Sequence, residues 1–211
     1  MNTSITNPTK IIIVHDDMDE DYPLIIMLKA KYLEENVLLF KHSQEGLAYI
    51  LDNLGQKMVV LLDKNFKDVN DISGLEVFEK IREKTSLIYV VLISANSISE
   101  FSEDELKMLI NRDLFKLETF TSDSSRIISL VDDAVLNTSL RVDAVIEEWI
   151  MRHPIEKRTQ IMLKTKEGQN YTMNDILESI RKQTEIGLDF EKSLLKLAIE
   201  LFSRQKLLLN D

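Results

Sequence analysis

The stretch "KMVVLLD", residues 57–63, decides the fold. Five consecutive apolar residues, Met58 to Leu62, precede a single carboxylate. A strand with one wet face alternates apolar and polar residues, whereas an unbroken apolar run marks a strand covered on both faces. Working outward, "KIIIV" (10–14), "NVLLF" (36–40), "IYVVLIS" (88–94) and "DLFKLETF" (113–120) read the same way. Between and after them lie segments with helical spacing: "YPLIIMLKAKYLEE" (22–35), "SQEGLAYILDNL" (43–54), "GLEVFEKIREK" (74–84), "SEDELKMLINR" (102–112) and "DSSRIISLVDDAVLN" (123–137). Five strands alternating with five helices specify a parallel sheet with helices on both faces.

After residue 138 the texture changes. "LRVDAVIEEWIMR" (140–152) and "PIEKRTQIMLKT" (154–165) read as helices, and "KEGQN" as a loop. "TMNDILESIRKQ" (172–183) starts with Thr172 as N-cap and Asp175 three residues on. "EIG" is read as a break before a long last helix, 188–209, with a wide apolar stripe. The expected division is an α/β domain over 1–138 and a small all-α domain over 139–211. On so small a domain the stripe also suggests an interaction surface, including a homodimer through 140–211.

The formal charge is −10, and it is uneven. Residues 1–140 hold 14 Lys/Arg and 24 Asp/Glu (14 − 24 = −10), while residues 141–211 hold 12 of each. Neither part carries the basic surplus that nucleic acid rewards, so DNA is not an expected partner. A helix–turn–helix reading of 172–199 would place "LDFEKSLLKLA" where base-reading side chains belong, and those positions are apolar. There is no cysteine, so disulfides and thiolate chemistry are excluded. No apolar run is long enough to span a membrane, and a cytoplasmic location is the expectation.

The chemistry gathers where strands end. The first strand runs into "HDDMDED": His15, Asp16, Asp17, Asp19, Glu20 and Asp21. Like charges packed at one edge cost stability unless something cationic sits among them. In a parallel sheet all C-terminal strand ends share an edge, and ligands bind there. That edge collects His15, Asp16 and Asp17, then Asp63 and Asn65, Ser94, and Lys116 or a residue near it. Two carboxylates converging from central strands suit a hard cation such as Mg²⁺. A carboxylate beside such a cation can act as a nucleophile toward phosphorus. His42 and His153 have no partner pattern, so zinc is not expected.

Over residues 9–138 the chain resembles the receiver domain of two-component response regulators. "IIIVHDD" is similar to that family's first strand and acidic pair, "VVLLDKN" to the strand ending in the phosphoacceptor, "SGLEVFEKIR" to the helix that follows, and "VVLISA" to the strand with the switch hydroxyl. The resemblance implies a flavodoxin-like sheet of order 2-1-3-4-5. It implies Asp63 as phosphoacceptor and Asp16, Asp17, Asp63 and the Asn65 backbone carbonyl as Mg²⁺ ligands. Ser94 and Lys116 would hold the phosphoryl group, and a sensor histidine kinase or phosphotransfer protein would be the donor. It implies a phosphorelay switch acting on an output protein, with no enzyme activity beyond taking and losing that group.

The chain departs from the family at three places. His15 stands where the first acid falls if Val14 is aligned with the family strand; a one-residue slip makes Asp16 and Asp17 the pair. The loop "KNFKDVNDIS" (64–73) is about three residues longer than is usual in the family and lacks its usual proline, and Lys116 precedes Leu117 rather than proline. These departures motivate a second reading, a phosphate-independent interaction module. A phosphotransfer hydrolase is disfavoured, since Lys64 and Asn65 follow Asp63 where an acid–base carboxylate would be needed.

Overall fold

The computed structural model describes residues 8–95, 97–120, 123–165 and 168–208, with side chains as far as Arg204. The chain divides into two compact units, Met1–Ala144 and Val145–Asp211. The division expected at 138/139 lies six residues earlier (144 − 138), near the end of the fifth helix.

The first unit is a five-stranded parallel sheet. Its strands are β1 (Lys10–Val14), β2 (Val37–Phe40), β3 (Met58–Asp63), β4 (Tyr89–Ser94) and β5 (Lys116–Thr119), in spatial order β2-β1-β3-β4-β5. The connecting helices are α1 (Pro23–Tyr32), α2 (Ser43–Asp52), α3 (Gly74–Lys84), α4 (Glu103–Asn111) and α5 (Ser124–Leu140). The apolar runs split by parity, as a period of two requires. Ile11, Ile13, Val59, Leu61, Val91 and Ile93 face α1 and α5; Ile12, Val14, Val60, Leu62, Val90 and Leu92 face α2, α3 and α4. All twelve side chains are fully buried, as expected of central strands sandwiched between helices. The outer strands β2 and β5 are half-buried.

Local chemistry sets the helix starts. Pro23 opens α1, where its missing N–H costs nothing. The Ser73 hydroxyl accepts from the Glu76 N–H to cap α3. Ser102 and Glu105 form a capping box on α4. Gly74 is required by close approach: a Cβ there would stand 1.9 Å from the backbone oxygen of Asp63. The start of α3 is thereby pressed against the end of β3.

The second unit contains most of α6 (Val142–Met151), then α7 (Ile155–Arg158), α8 (Met173–Arg181) and α9 (Glu185–Leu208). Among its described residues the regular structure is helical except for one antiparallel hairpin, β6 (Ile161–Lys164) with β7 (Asn170–Thr172). Helix was expected across 154–165, but only 155–158 is helical. The chain turns back at Gly168, whose φ of +88° favours glycine. The break before α9 is also not at "EIG". It falls at Lys182–Thr184, with Gln183 at φ +51°, and Gly187 lies inside α9 against α8, where a Cβ would meet the Ser179 oxygen at 2.5 Å. Buried Ile146, Ile150, Met173, Ile176, Leu177 and Ile180 form this unit's core. Among the described residues, no helix is long and apolar enough to cross a membrane.

Candidate functional site

The strand order reverses direction between β1 and β3, and the crevice at such a switch point is where open α/β sheets bind ligands. The ends of those two strands bring His15, Asp16 and Asp63 together, with one potential ligand atom from each lying within 4.8 Å of the others. Asp63 is the last residue of β3 and is buried. Burial pushes its carboxyl up to about 7, and the nearby Asp16 and Asp17 charges push the same way. Hydrogen bonds from the backbone N–H groups of Asn65 and Lys64 act in the opposite sense. The group is poised to change charge near neutral pH.

His15 is buried at the end of β1, and burial holds its imidazole below the usual histidine range despite two neighbouring carboxylates. The Asp17 N–H donates to Nδ1 at 3.1 Å, so Nδ1 is the acceptor and the neutral ring carries its proton on Nε2. Nε2 faces Asp63 Oδ2 at 3.9 Å, too far for a hydrogen bond. In this tautomer neither ring nitrogen presents a free lone pair toward Asp63, so the site's anionic donors are the two carboxylates. The imidazole packs on Phe120 with centroids 5.5 Å apart.

The lysines around the cluster show how the remaining acids are tolerated. Asp17 is exposed and bonded to the Lys67 ammonium, which holds its carboxyl below the usual range. The Lys67 N–H also donates to Asp16 Oδ2 at 2.8 Å. Lys41 pairs with Asp19 and Lys29 with Glu20, each at 2.5 Å. Of the two candidate acids after His15, Asp16 joins the cluster with Asp63, while Asp17 turns out to Lys67. Lys67 lies on the lengthened loop after Asp63, and nothing in its spacing revealed this partnership. Lys64 is buried with its ammonium 3.7 Å from the Phe101 ring centroid and 3.4 Å from Glu105 Oε1, so the residue after Asp63 reaches the start of α4.

The β4–β5 half of the edge is arranged differently. Ser94 is buried at the end of β4, one position beyond Ile93, the register partner of Asp63. Lys116 is not brought to the cluster. It pairs in register with Val91, which pairs with Leu61, two residues before Asp63 and about 7 Å back along the strand. Its side chain is exposed and its ammonium stands over the Phe115 ring, 5.3 Å from the centroid. The β5 residue level with Asp63 is Glu118, held by Arg126 of α5 at 2.7 Å. Asn65 is exposed just beyond β3, in the place expected of a carbonyl donor.

Known structures share this arrangement of strands. The receiver domain protein from Methanospirillum hungatei JF-1 is 17% identical, with a TM-score of 0.51 over 62% of this chain and 96% of its own. The first unit has the fold of a response-regulator receiver domain. NtrX from Brucella abortus, solved with ATP, is 16% identical with a TM-score of 0.52, covering 74% of this chain but only 31% of that protein. No family model and no curated protein matches the chain. Against the receiver fold, the acidic crevice lies at the expected edge, and the β5 lysine is displaced from it.

Proposed function

We propose that the chain is a two-component response regulator that takes a phosphoryl group on Asp63 with the help of Mg²⁺. The proposed receiver spans residues 1–138, and residues 139–211 form the output domain. The observation that carries the reading is the meeting of Asp16 and Asp63 at the switch point, with Asp63 at the tip of the most deeply buried strand. The donor set fits a hard cation: two carboxylates and the Asn65 carbonyl are oxygen ligands, and such sites leave the remaining positions to water and phosphate. Bound there, Mg²⁺ would supply the positive charge that favours ionised Asp63 and offsets charge on the phosphoryl oxygens.

The chain's own residues do the rest. The ionised Asp63 oxygen attacks phosphorus of a phosphohistidine on a sensor kinase or phosphotransfer protein; the new O–P bond forms as the N–P bond breaks. The Asn65 and Lys64 N–H groups hold the carboxylate in place. The added group carries about −1.5 to −2 charge, and Ser94, one position past the register partner of Asp63, is the neutral hydroxyl assigned to it. Lys64, the modified residue's neighbour, contacts Phe101 just before α4 and Glu105 in its first turn, giving the charge a route to a helix surface. No further catalysis is proposed.

Two observations favour the alternative of a phosphate-independent interaction module: His15 fills the first acid's place and packs on Phe120, and Lys116 points away from the crevice. Incubation with acetyl phosphate and Mg²⁺, read by intact-protein mass, separates the two. The proposal expects one added phosphoryl group on wild type and none on Asp63→Asn. An unmodified wild type at every donor concentration would favour the module.

A further inference from the structure

The second unit's buried apolar side chains lie on α6 and α8, and the large apolar residues of α9 are not among them. From Lys192 to Arg204 its large apolar residues stand in solvent: Leu194, Leu195, Leu197, Ile199, Leu201 and Phe202, the last 71% exposed. A helix that exposes so much apolar surface does not hold itself together by propensity and is normally covered by a partner.

Spacing and charge say what covers it. Phe190, Leu194, Leu197 and Leu201 recur at intervals of four, three and four, the seam of a helix pair. The charges are polarised along the helix. Glu185, Asp189 and Glu191 against Lys192 give residues 185–195 a net 1 − 3 = −2; Lys196, Arg204 and Lys206 against Glu200 give residues 196–208 a net 3 − 1 = +2. An acidic or a basic partner would match only one half. A second copy laid antiparallel matches both, and opposes the two helix dipoles favourably as well. The seam also runs into a groove of about 310 Å³ lined by Val145, Ile146, Trp149, Met162, Phe190 and Leu194.

We infer that α9 pairs antiparallel with α9 of a second copy of this chain, with Leu194 opposite Leu197 and Phe190 opposite Leu201. This register brings the Leu201–Phe202 end of each copy to the groove of the other. The pairing uses none of the acidic-edge residues and does not depend on phosphorylation.

Sedimentation of the full chain tests it. The expected species has twice the 24.5 kDa chain mass, and Leu197→Glu returns it to one chain with its circular dichroism otherwise native. The absence of cysteine makes a second readout clean, and it stands even if Leu197→Glu fails to fold. Oxidised Leu201→Cys alone stays uncrosslinked, because the two sulfurs would lie about 16 Å apart along the pair. Mixed with Phe190→Cys it forms a disulfide-linked dimer. A monomeric wild type, a dimer indifferent to Leu197→Glu, or self-crosslinking of Leu201→Cys would each overturn the inference.

Discussion

The two halves of the sheet's functional edge differ in how they are specified. On the β1–β3 side, strands with fully buried interiors deliver Asp16 and Asp63 to one point; the register is locked because a slip of one residue would turn every apolar side chain to the wrong face. On the β4–β5 side, β5 is a four-residue, half-buried outer strand, and its register places Glu118 rather than Lys116 level with Asp63. A deep core fixes the position of the groups at its rim, whereas a shallow outer strand leaves them free to differ. The acid half of the site is therefore the part on which the proposed chemistry rests.

The largest expected effect comes from breaking the deep half. Gly74→Ala forces a methyl group into the backbone of Asp63, and should cost roughly 3 kcal/mol or more because backbone cannot move aside as a side-chain tip can. Urea unfolding would show it; a loss below about 1 kcal/mol would mean that the α3–β3 contact is looser than described.

The next effect is a pH dependence with a definite sign. The Asp63 carboxyl sits at about 7 in the folded chain against an ordinary 3.8, so the folded protein binds this proton more tightly than the unfolded one. Its contribution is fully present below pH 3.8 and is lost as pH rises through about 7. Without a divalent cation, wild type should lose roughly 2–4 kcal/mol relative to Asp63→Asn between pH 4 and 8. Denaturation midpoints of both proteins across that range check it, and parallel curves would contradict the buried, charge-destabilised carboxyl.

Adding an acid to the deep half should strengthen cation binding there. His15→Asp adds a third carboxylate at the end of β1 and should raise Mg²⁺ affinity roughly tenfold, since affinity follows ligand charge count. Calorimetric titration with Mg²⁺ measures this, and unchanged affinity would place the cation away from His15. The smallest effect belongs to the shallow half. Lys116→Ala should change affinity for a phosphoryl mimic by less than about twofold, as exposed substitutions away from a site do. A large loss would show that Lys116 leaves the Phe115 ring and reaches the crevice when the mimic binds.

The same contrast explains what could be read from residue order. Strands such as "KMVVLLD" announce themselves, because burial on both faces leaves no polar position to confuse the period. Asp16 and Asp63 were legible as a pair because parallel topology alone brings their strand ends together. The partner of Asp17 was not, since Lys67 reaches it from a loop with no period. Lys116 could not be placed from spacing: "FKLETF" offers several registers to a short strand, and only pairing with β4 selects one. The β6–β7 hairpin was missed because "QIMLK" fits a helix as well as a strand; the better signal was Gly168 in the turn.

In the proposed function Asp63 accepts a phosphoryl group in a cation-assisted crevice. Its most direct test is the binding of beryllofluoride to wild type and Asp63→Asn, with and without Mg²⁺, followed by fluorine NMR. A saturable bound signal is expected in wild type only, dependent on Mg²⁺ and absent from Asp63→Asn. No bound signal at millimolar Mg²⁺, or an equal signal from Asp63→Asn, would contradict it.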